Sequence, residues 1–189
     1  MTVIGLTGLA GAGKSTLAQI FVEDHGFTRL SFAGPLKKML RTLDPIIGEQ
    51  YGETVRLSEV FEVHSEDQLK RIPVWGDEYR RLMQVLGTEC IRAEMDDFWT
   101  VLASNQVEVL DGKYVFDDVR FPNEAALVKY YNVDGLWNIY RPGVDTATAH
   151  ASEQHAGKLG ETLWLGNDGT LDKLRHSAAM ALEEMLSRA

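Results

Sequence analysis

Nine residues close to the start of the chain have the types and spacing needed to hold a nucleoside triphosphate. The pattern G-x-x-x-x-G-K-[ST] is matched by Gly8-Leu9-Ala10-Gly11-Ala12-Gly13-Lys14-Ser15-Thr16. Its glycines allow a tight turn with backbone N–H groups pointing at phosphates, its lysine adds a positive charge, and its serine hydroxyl can ligate Mg²⁺. This spacing predicts that ATP and Mg²⁺ are bound by Gly8, Ala10, Gly11, Ala12, Gly13, Lys14, Ser15 and Thr16.

The segments on either side of this loop predict the local structure that such a loop requires. Val3-Ile4-Gly5-Leu6-Thr7 is a short apolar run typical of a strand, and Leu17, Ile20 and Phe21 recur at helical spacing after the loop. A helix that begins at the loop directs the partial positive charge of its N-terminus at a bound phosphate. The order of strand, glycine loop and helix therefore supports the predicted site.

A second candidate group follows a later apolar run. Tyr114-Val115-Phe116 is typical of a buried strand, and it ends in Asp117-Asp118-Val119-Arg120. An acid at the carboxyl end of a strand is the expected partner for Mg²⁺ in a protein with a phosphate loop. We assign Asp118 to the metal together with Ser15, and we leave open whether Asp117 serves it instead.

Two further sets of polar residues suit a second phosphorylated compound. Lys37 lies in the helix that Pro35 opens, close to the carboxyl end of the second strand. Arg80, Gln84, Thr88 and Arg92 are spaced by four, so they form a polar stripe on a predicted helix. Arginine suits a phosphate and glutamine suits a base edge. For both sets the alternative interpretation is an ordinary solvated helix face.

Strands and helices alternate along the whole chain. Five strands are predicted near residues 2–7, 28–32, 113–117, 135–140 and 163–165, with helical patterns between them. This order predicts an α/β fold with a five-stranded parallel sheet and helices on both faces, the three-layer sandwich of P-loop kinases. We expect one domain over residues 1–189, with a helical substrate-covering insertion over 44–108 and a lid within 144–157.

The composition bounds the class of protein. The chain has 189 residues, of which 44% are hydrophobic and 25% charged, so a globular protein with a sizeable core is expected. There is no apolar run of the roughly 18 residues that a membrane span needs, no signal-peptide pattern at the start, and one cysteine, Cys90. These features favour a cytoplasmic protein, in the host cytoplasm if the protein is viral, without a membrane partner.

The charge balance bears on the partners. A net charge of -9 argues against a broad surface for a nucleic-acid polymer, because such binders usually carry a basic surplus. It does not argue against small phosphorylated substrates, for which a few clustered Lys and Arg residues suffice. We therefore expect nucleotides as ligands.

The residues that follow the second predicted strand narrow the chemical class of the acceptor. No Asn-Lys-x-Asp motif for guanine is present, and the elements of motor ATPases are not recognisable, which leaves a kinase of a small molecule. A hydroxyl acceptor needs a base, whereas a phosphate monoester is mostly a dianion at neutral pH and needs only positive charge. The segment from Ser31 to Lys38 contains cations and no acid. That favours a nucleoside monophosphate as acceptor, although folding can bring a distant acid into place.

Two alternatives remain open. One is a kinase of a hydroxyl acceptor, such as a dephospho-coenzyme A kinase, which shares the style of the early loop and a late turn like Asn167-Asp168-Gly169. The other is a non-enzymatic switch that binds nucleotide. The retained Lys14, Ser15 and Asp118 make the second alternative less favourable.

The chain resembles the bacteriophage-type deoxynucleoside monophosphate kinases over most of its length. Besides the glycine loop, the resemblance is carried by Ser31-Phe32-Ala33 with Pro35-Leu36-Lys37, Arg80 through Gln84-Val85-Leu86-Gly87-Thr88-Glu89 to Arg92, Phe98-Trp99, Asp118-Val119-Arg120-Phe121-Pro122-Asn123-Glu124-Ala125, Arg141-Pro142-Gly143 and His150-Ala151-Ser152-Glu153. An acidic residue often stands in that family where this chain has Gly34, so we assign no contact to Gly34.

The resemblance implies that the γ-phosphate of ATP is transferred to a deoxynucleoside monophosphate, in support of viral DNA synthesis, by a homodimer. The residues expected to act in the transfer are Lys14, Arg120, Arg141 and Asp118, with the two arginines bridging the phosphates of donor and acceptor. The residues expected at the acceptor are Lys37, Arg80, Gln84, Thr88, Arg92 and Glu124, the last of which would orient the cations by pairing. The lid would exclude water from the reaction.

Overall fold

The computed structural model of the protein describes residues 1–107, 112–144 and 155–188. Its chain forms two compact units, of which the first comprises Met1–Phe32 with Thr100–Ala189 and the second comprises Ala33–Trp99. The ten residues 145–154, which hold most of the predicted lid, lie outside the described part of the chain. Across that described part, we find no helix whose length and apolar character would let it span a membrane.

The helices and strands follow one another in an α/β order. They are β1 (Thr2–Thr7), α1 (Lys14–His25), β2 (Thr28–Leu30), α2 (Gly34–Leu43), β3 (Ile46–Gln50), β4 (Glu53–Arg56), α3 (Leu57–Val63), α4 (Glu66–Leu69), α5 (Trp75–Gln84), a π-helix (Val85–Arg92), α6 (Phe98–Ser104), β5 (Lys113–Phe116), α7 (Pro122–Tyr131), β6 (Leu136–Tyr140), β7 (Leu163–Gly166) and α8 (Leu171–Ser187).

The first unit is built on a parallel sheet in the order β2-β5-β1-β6-β7. The five strands lie within two residues of the predicted bounds, so the predicted α/β fold with a five-stranded parallel sheet is confirmed. In the register of the sheet Gly5 of β1 is opposite Phe116 of β5, and Leu30 of β2 is opposite the same residue. Because the strands are parallel, their carboxyl ends meet at one edge, where the loops after β1, β2 and β5 begin.

Alternating residues of β1 bury against helices on the two faces of the sheet. Ile4 and Leu6 belong to a core that also contains Phe21 of α1 and Leu174 of α8. On the opposite face Val3 packs in a second core with residues of α7. Gly5 lets α7 come close, because a Cβ there would lie 2.6 Å from Cγ2 of Val128. Both faces of the sheet are therefore covered, as the buried apolar run predicts.

The second unit contains an antiparallel pair that the sequence analysis did not predict. We expected residues 44–108 to be helical, but β3 and β4 pair with each other between α2 and α3. The pair is joined at Tyr51 and Gly52, which have φ angles of 55° and 85°, as a tight two-residue hairpin turn requires. The core of this unit is formed by Leu40, Ile47, Leu57, Val60, Leu69 and Tyr79.

The entry to α5 and its continuation are both unusual. Val74 has φ 68° and ψ -62°, and Trp75 N donates to Pro73 O at 2.8 Å, so these three residues form a strained γ-turn. After Gln84 the chain continues as a π-helix through Gly87. Trp99 Nε1 donates to the carbonyl oxygen of Gly87 at 3.0 Å, which anchors the π-helix to the segment that follows it.

Candidate active site

The glycine loop adopts a conformation that only glycines accommodate without strain. Gly8, Gly11 and Gly13 have φ angles of 136°, 78° and 108°. A Cβ on Gly8 would lie 2.3 Å from the carbonyl oxygen of Ile139, so the loop passes close to the end of β6. α1 begins at Lys14, immediately after Gly13, so the N–H groups of its first turn open onto the loop.

The side chain of Lys14 folds back onto the glycine loop. Its Nζ donates to the carbonyl oxygens of Gly8 and Leu9 at 2.6 and 2.8 Å. These bonds place the ammonium group within the turn, where a phosphate bound to the loop N–H groups would meet it. Lys14 therefore lies at the turn of the loop, and the binding of ATP and Mg²⁺ by the loop residues stays a prediction.

Asn167 supports the loop from the far end of the chain. Its Nδ2 donates to the carbonyl oxygen of Ala12 at 2.9 Å, and a Cβ on Gly13 would lie 2.3 Å from the same nitrogen. The sequence predicts that Asn167 lies in a turn, and it predicts no part for Asn167 in the site. A contact between residues 155 positions apart leaves no local signal in the sequence.

The acid that meets Ser15 is Asp117. Ser15 Oγ donates to Asp117 Oδ2 at 3.2 Å, and the side chain of Asp117 is 9% exposed. We had placed Asp118 with Ser15 and left Asp117 as the open alternative. The two acids follow β5, and successive side chains of an extended segment point in opposite directions, so only one of them can face the loop. A serine hydroxyl and a carboxylate are hard oxygen donors that fit Mg²⁺.

Arg29 shares the same carboxylate. Its Nη2 donates to Asp117 Oδ2 in a short ion pair, and its side chain is 40% exposed. Arg29 lies in β2, next to β5 in the sheet. The sequence predicts only that Arg29 lies in a strand, because the pair joins residues 88 positions apart.

Asp118 lies at the end of β2. Its carboxylate accepts from Ser31 Oγ at 2.6 Å and from the N–H of Phe32 at 2.9 Å. The segment from Ser31 to Lys38 is free of acids in sequence, but folding brings this one to its first residues. The absence of an acid from this stretch of sequence therefore no longer favours a phosphate acceptor over a hydroxyl acceptor.

The other candidates of the first unit follow β5 and β6. Arg120 and Arg141 are exposed, and their strands flank β1 on its two sides in the sheet. Glu124 is 3% exposed, and its Oε2 accepts from the N–H groups of Arg120 and Phe121 at 2.7 and 3.1 Å. These bonds cap the start of α7, and the pairing of Glu124 with cationic side chains stays a prediction.

In the second unit Lys37 belongs to a cluster that the sequence did not reveal. Lys37 Nζ and Lys70 Nζ lie 3.0 and 2.5 Å from the same oxygen, Glu66 Oε1. Burial raises the pKa of Glu66, but the hydrogen bonds and charges of Lys70 and Lys37 outweigh burial and hold that pKa below its usual value. Two ammonium groups share one carboxylate, so the cluster keeps a surplus positive charge.

The four residues of the predicted polar stripe do not share one exposed face. Arg80 is exposed and donates to Asp77 Oδ1 at 2.9 Å and to the carbonyl oxygen of Lys70. Gln84 ends α5, and Thr88 lies exposed in the π-helix. Arg92 has a side chain only 8% exposed that bonds Asp96, which suits a structural role. The π-helix causes the difference, since its turn is longer than the four-residue spacing assumed.

The parallel sheet, the glycine loop between β1 and α1, and the acid after β5 define a P-loop kinase. No protein-family model matches the chain. A curated protein of Acanthamoeba polyphaga mimivirus, named "Putative deoxynucleotide monophosphate kinase", is 31% identical over 167 residues, which is 81% of each chain. The chain therefore belongs to the deoxynucleotide monophosphate kinase family.

Two solved structures are similar to the chain at low sequence identity. A gluconokinase from Sinorhizobium meliloti 1021 matches with a TM-score of 0.50 and 12% identity, over 99% of this chain and 94% of its own. A dephospho-CoA kinase from Campylobacter jejuni matches with a TM-score of 0.42 and 16% identity, over 97% of both chains. The first of these likenesses supports the P-loop kinase fold.

Proposed function

We propose that this P-loop kinase transfers the γ-phosphate of ATP to a deoxynucleoside monophosphate, giving the diphosphate and ADP. The name of the mimivirus relative, a deoxynucleotide monophosphate kinase, supports a deoxynucleoside monophosphate as the acceptor. In a virus, the product would supply DNA synthesis. The homodimer expected from the resemblance stays a prediction for sedimentation measurements.

The observation that carries the proposal is the pair of lysines on Glu66. An acceptor phosphate is mostly a dianion at neutral pH, and it must approach a second polyanion, so its site needs cations rather than a base. Lys37 and Lys70 supply two positive charges against one carboxylate. In the proposal Lys37 and Arg80 hold the acceptor phosphate, and Gln84 and Thr88 serve its sugar or base.

The residues of the first unit hold the donor. The loop N–H groups and Lys14 bind the β- and γ-phosphates, and Arg120 and Arg141 stabilise the charge that spreads over the transferred group; such an arginine can contribute roughly 10³–10⁵ in rate. Mg²⁺ would be held by Ser15 and Asp117, and it would neutralise charge on the phosphates. Asn167 keeps the loop in place while the phosphates are exchanged.

One observation favours a second candidate, a kinase with a hydroxyl acceptor. Asp118 lies at the end of β2, where a base for such an acceptor would stand. Ser31 Oγ and the N–H of Phe32 already donate to its carboxylate and tie it to the residues that follow β2. That contact therefore suits an anchor of the β2 end better than a base.

The test is a product analysis with purified protein and ATP with Mg²⁺. The acceptors are the four deoxynucleoside monophosphates, the four ribonucleoside monophosphates and, as controls, the free deoxynucleosides and dephospho-coenzyme A. The proposal expects diphosphates from at least one deoxynucleoside monophosphate. Phosphorylation of a hydroxyl acceptor with none of the monophosphates converted would replace it with the second candidate.

A further inference from the structure

One oxygen of Asp117 is shared between a hydroxyl and a guanidinium. Ser15 Oγ donates to Oδ2 at 3.2 Å, and Arg29 Nη2 forms a short ion pair with the same Oδ2. The carboxylate is nearly buried, with 9% of its side chain exposed. A buried carboxylate without a partner is costly, so Arg29 supplies the countercharge that Asp117 needs when no metal is present.

A divalent cation at Ser15 and Asp117 would meet that guanidinium. The metal and Arg29 are both positive, and they would need the same carboxylate at a separation of a few ångströms, where like charges repel. We propose that Arg29 is an internal counterion that competes with Mg²⁺ for Asp117 and must leave it before the metal binds. This inference rests on the metal ligands named in the proposed function.

The positions of Arg29 and Asp117 indicate which of the two side chains moves when the metal binds. The backbone of Arg29 is fixed by the sheet, where Arg29 is opposite Val115 of β5. β2 is an edge strand, and 40% of the arginine side chain already faces solvent. Asp117 is held in place by burial, so the exchange consists of the guanidinium turning into water while the carboxylate stays.

The competition has a consequence for selectivity. The apparent affinity of a site is its intrinsic affinity multiplied by the fraction of molecules in which the site is open. If the Arg29–Asp117 ion pair is formed about nine-tenths of the time, the apparent affinity for the metal falls about tenfold. Metal that arrives on a nucleotide brings negative phosphates, which offset the repulsion. Arg29 therefore favours the metal–nucleotide complex over free metal.

The experiment measures metal binding by the full chain without nucleotide, with Mn²⁺ alone as the spectroscopic probe and Mg²⁺ alone by calorimetry. Arg29→Gln removes the countercharge, and Arg29→Lys keeps a charge but loses the planar fork. The matched control is Arg175→Gln, because Arg175 is also 40% exposed and pairs with Glu23 at 3.0 Å on the surface. Thermal unfolding without metal is measured in parallel.

We expect Arg29→Gln to bind Mn²⁺ about tenfold more tightly than the original chain, and Arg29→Lys to lie between them. The metal-free Arg29→Gln protein should melt at a lower temperature and regain the difference with Mg²⁺, whereas Arg175→Gln changes neither the affinity nor this recovery. Equal or weaker Mn²⁺ binding in both Arg29 variants overturns the proposal. Since no acceptor is present, this outcome is independent of whether a deoxynucleoside monophosphate is phosphorylated.

Discussion

Ser31 and Asp118 are joined by a hydrogen bond of 2.6 Å, although 87 residues separate them in the chain. Ser31 follows β2 and Asp118 follows β5, and these strands are neighbours in the parallel sheet. The bond brings an acid to a segment that has none of its own in sequence. Whether Asp118 acts as a base therefore distinguishes a hydroxyl acceptor from a phosphate acceptor.

Asp118→Asn separates an anchoring residue from a general base. We expect kcat/KM for a deoxynucleoside monophosphate to fall by less than about tenfold, since the amide oxygen can still accept the N–H of Phe32, whereas loss of a base costs about 10²–10⁴. The measurement is steady-state kinetics beside Asp172→Asn, an exposed acid on α8. A fall beyond about a hundredfold would contradict the anchoring role and show that Asp118 acts in the transfer itself.

Lys14→Ala tests the role of the loop. We expect transfer to be abolished while the protein stays folded, because the substitution removes the charge beside the phosphates and leaves the core untouched. Activity is followed by ADP formation, and folding by circular dichroism. Lys113→Ala, a change at an exposed lysine of the same unit, is the control. Residual activity above about a tenth would show that Lys14 does not serve the transferred group.

Lys37→Met tests the acceptor site. It removes one of the two ammonium groups on Glu66, so we expect KM for the deoxynucleoside monophosphate to rise about 10- to 100-fold, with KM for ATP within about twofold. Lys38→Met is the matched control, because Lys38 is the exposed neighbour in the same helix. An equal rise of both KM values, or the same effect from Lys38→Met, would contradict the assignment.

Glu66 predicts a dependence of stability on pH. Its pKa lies below the usual 4.5 in the folded protein, so the stability it contributes is complete above that value and is lost as the pH falls through the folded pKa. Glu66→Gln should lower the free energy of unfolding by about 1–2 kcal/mol at pH 7 and by less at pH 3. Urea unfolding of both proteins at the two pH values measures the difference.

Two results of that unfolding experiment would contradict the role of Glu66. One is a difference that does not shrink in acid, and the other is an equal loss in Glu62→Gln, an exposed acid on α3. Either would show that Lys37 and Lys70 do not stabilise the charged form of Glu66.

Short-range patterns were sufficient for the sheet and the loop. Four of the five parallel strands are short, mainly apolar runs near turn residues, and the loop motif is one continuous segment, so these could be predicted from neighbouring residues. The exception is β2, Thr28-Arg29-Leu30, which is largely exposed. The β3–β4 hairpin was missed because its turn is Tyr51-Gly52 instead of an Asn-Gly or Asp-Gly pair. The π-helix was missed because a four-residue spacing assumes a regular α-helix.

The contacts that complete the site could not be predicted in the same way. Arg29 reaches Asp117 and Asn167 reaches Ala12 over 88 and 155 positions, and no local pattern encodes either contact. Whether Asp117 or Asp118 faces Ser15 depends on where extended geometry begins after β5, which shifts with a single residue. Lys37 was found from its position after β2, but its partners Glu66 and Lys70 were not.

Trp75, at the start of α5, can serve as a fluorescent reporter of unfolding in the second unit. Its indole lies so close to Gly48 of β3 that a Cβ there would be 2.5 Å from Cδ1, so its emission depends on the contact between hairpin and helix. Trp137, 1% exposed, is enclosed in the core of the first unit. Each compact unit thus contains its own fluorophore. Variants in which Trp75 or Trp137 is the single tryptophan, with Trp99 and Trp164 also replaced, would show optically whether the two units melt together or one after the other.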